Sequence, residues 1–293
     1  IRDSPRDKGA ILAGGGAGHE PAFSGLVGSG LVTVAVSGDV FASPSSKQIC
    51  SGVDLAPTDK GIVTIVLNYT GDCLNFGLAS EKARSAFHSE GKGRDIEMVN
   101  VGDDVSVGRS KGGLVGRRGL TGAAFTAKVL GAASEKGDDV QKIAHLGRTM
   151  VKNFVTVGSS LDHCHVPGRS TDPKERGALS QSAVEIGMGI HNEPGAKHIE
   201  NKPSGEDLIK EMLELLLRED DPERSFVKFN KDDDPVLIIN NLGGMSSIEL
   251  GAIAAEARTQ IERDWNLRLS RVYCGTYVTS LNAPGFNISL LNH

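Results

Sequence analysis

Apolar runs of strand length recur along the chain, each followed by turn residues and then by a stretch with helical spacing. That alternation predicts βα units around parallel sheets. In the first half the strands are residues 10–13, 31–36, 62–67 and 96–101, with an amphipathic helix over 76–88. Two helical stretches, 122–134 and 138–155, close this half. The stretch 158–180, irregular and holding Gly, Pro and Ser, breaks the pattern and marks the candidate boundary. Beyond it, Leu208, Ile209, Met212, Leu215 and Leu216 form a core-facing stripe on a helix over 206–218. The charged segment 219–234 reads as a solvated loop, 235–239 as a buried strand and 247–265 as a helix, with further strands near 269–274 and 287–291. The expected fold class is α/β: two consecutive α/β domains with largely open sheets, residues 1–156 and 157–293.

Composition then removes several function classes. With 32 basic and 37 acidic residues and a net charge of −5, the chain has no global basic field to attract nucleic acid or an anionic membrane. The 37 glycines and the 4% aromatic content suit tight strand-to-helix turns better than stacking platforms. Cys50, Cys73, Cys164 and Cys274 are far apart and form no C-x-x-C pair, which points to a reducing, cytoplasmic setting. The long uncharged runs, 21–38 and 272–293, are interrupted by Gly, Pro, Ser, Thr and Asn, so no bilayer span is expected. The opening Ile1-Arg2-Asp3-Ser4-Pro5-Arg6-Asp7-Lys8 is neither a signal nor a transit peptide, and a start at Ile1 suggests that the true N-terminus is missing.

Four segments carry candidate chemistry. Gly14-Gly15-Gly16-Ala17-Gly18-His19-Glu20-Pro21 follows a strand, but His19 stands where a dinucleotide fingerprint needs its third small residue, and no P-loop occurs anywhere. What is left is side-chain-poor backbone able to approach a small polar ligand, or simply a tight turn. Asn68-Tyr69-Thr70-Gly71-Asp72 leaves the carboxyl end of an apolar strand. Asp72 is there either a candidate general base or an N-cap for the following helix. His163-Cys164-His165 would put two histidines on one face of a strand, too few ligands for a zinc site, so no metal is expected. Gly187-Met188-Gly189-Ile190-His191-Asn192-Glu193-Pro194-Gly195 holds its histidine between glycines and a Pro-Gly stop, hence in a loop, where it is either structural or catalytic.

In order along the chain, the 14–21, 68–72 and 187–195 segments, with Gly38-Asp39-Val40-Phe41-Ala42-Ser43-Pro44, Gly112-Gly113-Leu114-Val115-Gly116-Arg117-Arg118-Gly119 and Asn240-Asn241-Leu242-Gly243-Gly244, resemble the substrate-binding K domain of the dihydroxyacetone (glycerone) kinase family. The wording is closest to the eukaryotic, ATP-dependent branch. The resemblance implies that His191 attacks the ketone carbon of dihydroxyacetone and holds it as a hemiaminal, which glycerol cannot form. It implies further that His19 acts as acid/base, that Asp72 hydrogen-bonds the terminal hydroxyl and assists its attack on the γ-phosphate, and that Gly16, Ala17 and Gly18 line a pocket between the two domains. The resemblance also implies that ATP and magnesium sit on a separate helical L domain, in cis or in trans, and that this chain binds neither. Dihydroxyacetone and glyceraldehyde are the implied ligands, and a homodimer the implied assembly, with no nucleic acid and no membrane partner. Set against that family, three departures imply weaker binding: Leu67 stands where lysine is common, Ala13 and Ala17 stand where serine is frequent, and the resemblance leaves the family's N-terminal helix and last segment without a counterpart in residues 1–293. A non-enzymatic dihydroxyacetone sensor or co-activator is the alternative reading.

Overall fold

The computed structural model describes residues 1–89, 91, 94–112, 115–170, 172, 174 and 177–293. Gly113 and Leu114 of the 112–119 segment, and Thr171, Pro173, Glu175 and Arg176 of the 158–180 stretch, lie outside the described residues. The chain divides into two compact units, residues 1–102 with 122–151 and residues 103–121 with 152–293. This differs from a single cut after residue 156. The reason is local: the Asp103 and Asp104 N–H groups donate to the Arg118 carbonyl, and Val105 and Thr156 pair along the backbone, so 103–121 is stitched to the strand that opens the second unit.

The first unit contains β1 (Ala10–Ala17), β2 (Val34–Val40), α1 (Ser46–Asp54), β3 (Ile62–Leu67), α2 (Thr70–Ser89), β4 (Ile96–Val101), α3 (Gly122–Glu135) and α4 (Val140–Lys152). Its sheet has the order β2-β1-β3-β4 with every pairing parallel. The central strands are buried along their length, as parallel strands covered on both faces must be, and this is why they read as unbroken apolar runs. Leu12, Val34, Ile49, Val53, Phe76, Ala79 and Phe87 share one core cluster. Helix α1 escapes the periodicity reading, although Ser45 and Gln48 form a reciprocal capping box at its start. Helix α2 begins at Thr70 rather than at 76, a point that matters for Asp72.

The second unit contains β5 (Phe154–Ser160), β6 (Val184–Ile186), β7 (Lys197–Ile199), α5 (Gly205–Leu217), β8 (Val236–Asn241), α6 (Ser247–Asp264), β9 (Arg271–Gly275) and β10 (Gly285–Leu291). Its sheet, ordered β7-β6-β5-β10-β8-β9, is mixed, and only β8 and β9 run parallel. The parallel layer expected from the sequence is corrected here. The link 276–284 is too short for a parallel crossover, so β10 enters antiparallel between β5 and β8. Val155, expected at a helix end, sits in β5, and His163 and His165 follow that strand in irregular backbone rather than sharing a strand face. The α5 stripe packs Ile209, Met212, Leu213 and Leu216 with Ile261 of α6 and with Val157, Ile239 and Ile288 of the sheet. Among the described residues, no helix is long and apolar enough to cross a membrane.

Candidate functional site

In the first unit, strand order reverses between β1 and β3, and open parallel sheets bind ligands beyond the carboxyl ends of strands at such a switch point. Three of the sequence segments meet there. The register of β1 on β2 slips between Gly15 and Ala17. At Gly16 any Cβ would come within 2.8 Å of the Ala42 nitrogen, so the 38–44 segment can lie on it only because no side chain is present. Gly18 has φ of +99°, and its N–H donates to the two Glu20 carboxylate oxygens at 3.2 and 3.0 Å. His19 is buried at 2% exposure, its ring stacked on Phe41 with centroids 5.0 Å apart.

Asp72 lies in the first turn of α2, inside the helix rather than at its N-cap, so the capping reading is corrected. Its carboxylate comes 3.9 Å from where a Cβ of Gly15 would be, and Leu67 puts a methyl 3.8 Å from that same point. Gly71 packs on the Ser43 side chain, while Asn68 receives the Cys73 thiol proton at 3.2 Å. Burial, and then the charge of Asp72, push the Cys73 thiol up, so it is not a thiolate nucleophile at neutral pH. Thus Gly16, Ala17, Gly18, His19 and Asp72 all lie at or just beyond the carboxyl ends of β1 and β3, where Phe41 and Ser43, to which no role was assigned from the sequence, pack on His19 and Gly71.

His191 belongs to the second unit, where side chains from distant parts of the sequence hold its loop. Asn192, in the left-handed region at φ 63°, pairs through its amide with the Cys164 backbone, accepting from N–H at 2.9 Å and donating to C=O at 3.3 Å. Ser280 donates to the Ile190 carbonyl at 2.6 Å. Arg118 donates to the Gly187 carbonyl at 2.6 Å, and it is itself fixed by the buried carboxylate of Asp104 and by Ser106. Glu193 accepts the His191 backbone N–H and meets the ring at Nδ1, both at 2.9 Å. Burial pushes the Glu193 carboxyl up, but the hydrogen bond and charge of His191, together with backbone N–H groups, outweigh it and hold the carboxyl at about 2. His191 and Asn192 line a cavity of about 330 Å³ with His163, Cys164, His165 and Arg169. Among the described residues, no group of three His, Cys, Asp or Glu is placed to hold a metal ion.

A family model described as the Dak1 domain matches residues 1–293. The chain belongs to the Dak1 domain family. This Dak1 domain is 45% identical to a dihydroxyacetone kinase of Pichia angusta over 301 aligned residues, which cover 99% of the chain and 48% of that protein. It is also similar to the crystal structure of the C. freundii dihydroxyacetone kinase in complex with AMP-PNP and Mg2+, with a TM-score of 0.84 and 32% identity over 99% of the chain and 50% of the other. A dihydroxyacetone kinase operon co-activator gives a TM-score of 0.84 at 27% identity, over 99% of the chain and 83% of the co-activator. The chain spans about half the length of the curated kinases it matches. Within this Dak1 domain, Arg118 and Glu193 are further site residues that sequence reasoning left without a role. Arg118 lies inside the 112–119 motif and Glu193 inside 187–195, two residues after the candidate histidine, which is the local signal that could have found it.

Proposed function

We propose that this Dak1 domain is the dihydroxyacetone-binding part of a dihydroxyacetone kinase. His191 adds to the ketone carbon and holds the substrate as a hemiaminal, Asp72 acts as base on the hydroxyl to be phosphorylated, and His19 serves as acid/base. Gly16, Ala17 and Gly18 offer backbone to the ligand. The phosphoryl donor, ATP with magnesium, is bound by a helical L domain outside residues 1–293, in cis or in trans. In this reading the protein works in the cytoplasm, where its four unbridged thiols are stable, and it forms a homodimer; glyceraldehyde is its second carbonyl ligand.

The observation that carries the reading is the His191 loop. A histidine set in a rigid turn, its ring on a cavity and its Nδ1 against a carboxylate, is built to present its other nitrogen to a small electrophile. Selectivity for a ketone over an alcohol then comes from bond formation, which a hydrogen-bonding pocket of similar size cannot match for glycerol. The test is NMR of dihydroxyacetone labelled with 13C at the carbonyl. With the protein present, a resonance of a tetrahedral carbon is expected, and His191→Ala should abolish it. A ketone signal unchanged by saturating protein overturns the reading. The co-activator likeness, together with Leu67 in place of lysine, favours a second reading in which the captured ligand is sensed and not phosphorylated. Turnover after addition of an L domain, magnesium and ATP separates the two.

A further inference from the structure

The pairing of His191 with Glu193 says more than that the loop is rigid. Both oxygens of the Glu193 carboxylate face the same residue, Oε2 accepting the His191 backbone N–H at 2.9 Å and Oε1 meeting the ring Nδ1 at 2.9 Å. The Glu193 carbonyl accepts the Gly189 N–H at 3.0 Å, which closes the turn on the other side. The carboxylate occupies the place a side chain at 189 would fill, since a Cβ there would collide with Glu193 Oε2 and would lie 2.6 Å from Arg118 Nη1. Glycine at 189 therefore makes room for a carboxylate, and the carboxylate is aimed at one ring nitrogen.

A carboxylate can only accept, so the contact at Nδ1 requires the ring proton to be there. A neutral imidazole with its proton on Nδ1 has its lone pair on Nε2, at the far side of the ring. We propose that Glu193 is the positioning residue that makes His191 a nucleophile through Nε2, by fixing the ring tautomer and by balancing the positive charge of the adduct. The inference rests on the reading of His191 as the carbonyl-capturing residue. In the step itself the Nε2 lone pair forms the bond to the carbonyl carbon while the C=O π pair moves onto oxygen, which takes a proton from a general acid or water. The ring then carries an alkylated Nε2 and a proton on Nδ1, so it is an imidazolium with one positive charge, and Glu193 becomes its ion-pair partner. Release runs the same steps backwards. The carboxylate that orients the general-base histidine of acyl-transfer triads works by the same physics.

Glutamine at 193 carries no charge and has an NH2 donor in place of one acceptor oxygen, so while its oxygen keeps the backbone N–H its NH2 faces Nδ1 and favours the tautomer with the ring proton on Nε2. The experiment uses the full 293-residue chain with 15N-labelled histidine and 13C-carbonyl dihydroxyacetone. In the wild-type protein the ligand-free His191 ring should show the Nδ1–H form alone. In Glu193→Gln the ring should shift toward the Nε2–H tautomer, and the dissociation constant of the adduct should rise about tenfold to a hundredfold, the scale on which partners of a working histidine act. Glu193→Asp, which keeps the charge on a shorter arm, should recover part of that loss. Backbone amide spectra establish that each variant is folded, and if Glu193→Gln is not, the wild-type tautomer and Glu193→Asp decide. A wild-type protein that forms no adduct overturns the capture reading and this inference with it. Adduct formation by a ring that carries its proton on Nε2 before binding overturns this inference alone, as does a Glu193→Gln variant with unchanged tautomer and affinity.

Discussion

In the first unit the candidate residues are placed by sheet topology, whereas in the second the 187–195 loop is placed by side chains reaching in from residues 106, 118, 164 and 280. Gly16 to His19 and Asp72 sit where they do because β1 and β3 end side by side at a switch point, and missing side chains let the loops close on one another. His191 stays in place because a buried Asp104 fixes Arg118, Arg118 fixes the Gly187 carbonyl, and Asn192 and Ser280 fix the rest. A loop held by topology tolerates the loss of any one side chain better than a loop held by a hydrogen-bonded chain of them, in which each lost partner strands another.

The largest effect that would break this comparison is on Arg118. Arg118→Met takes the ion-pair partner from the Asp104 side chain, only 1% exposed, and leaves it the hydrogen bonds from Ser106, and breaking a buried pair from one side costs about 3 kcal/mol. Denaturant unfolding measures the loss, and amide exchange should rise first in 103–121 and 187–195. A loss below about 1 kcal/mol would show that the 187–195 loop does not depend on this network.

Asp72→Asn tests the other unit. Because the sheet places the residue, the isosteric change should leave ligand capture at the wild-type level while turnover, assayed with an L domain and ATP, falls on the order of 10²-fold. Wild-type turnover in this variant would reduce Asp72 to a first-turn helix residue.

The smallest effect is acid sensitivity, and each unit has a carboxyl that reports it. The hydrogen bonds from Lys8 and Arg2 hold the Glu135 carboxyl at about 2, as His191 and backbone N–H groups hold Glu193, against an ordinary 4.5. A carboxyl depressed in the folded state adds stability that is fully present above its unfolded pKa and is lost as pH falls toward the folded one. Thermal midpoints should therefore decline between about pH 4.5 and 2, and Glu135→Gln should flatten part of that decline. Titration of both carboxyls by NMR checks the two units separately, and a midpoint above 4 for either carboxyl would remove its contribution.

Much of the first unit was legible along the chain. Residues 62–67 and 96–101 coincide with β3 and β4: β3 is buried at every position, as a central parallel strand must be, and edge strand β4 keeps Ile96, Val99 and Val101 buried around Glu97 and Asn100. The start of α2 was not legible, since Thr70, Gly71 and Asp72 carry turn-forming chemistry and only the structure shows that they already belong to the helix. In the second unit the α5 stripe was plain, but the direction of β10 was not, because apolar content marks a strand without revealing its partners.

By itself, the sequence determined the α/β class, which depends on local composition and spacing, and through the resemblance of its ordered motifs it pointed to the family and to the residues on which the chemistry is proposed to rest. Tertiary structure alone decided that 103–121 leaves the first unit to join the second, that Arg118 and Asp104 support a loop far along the chain, and that Glu193 meets His191 at Nδ1. These are contacts between groups whose pairing depends on the path of the backbone, and a buried charge or an oriented ring nitrogen acquires its role only once its partner has been brought within hydrogen-bond reach.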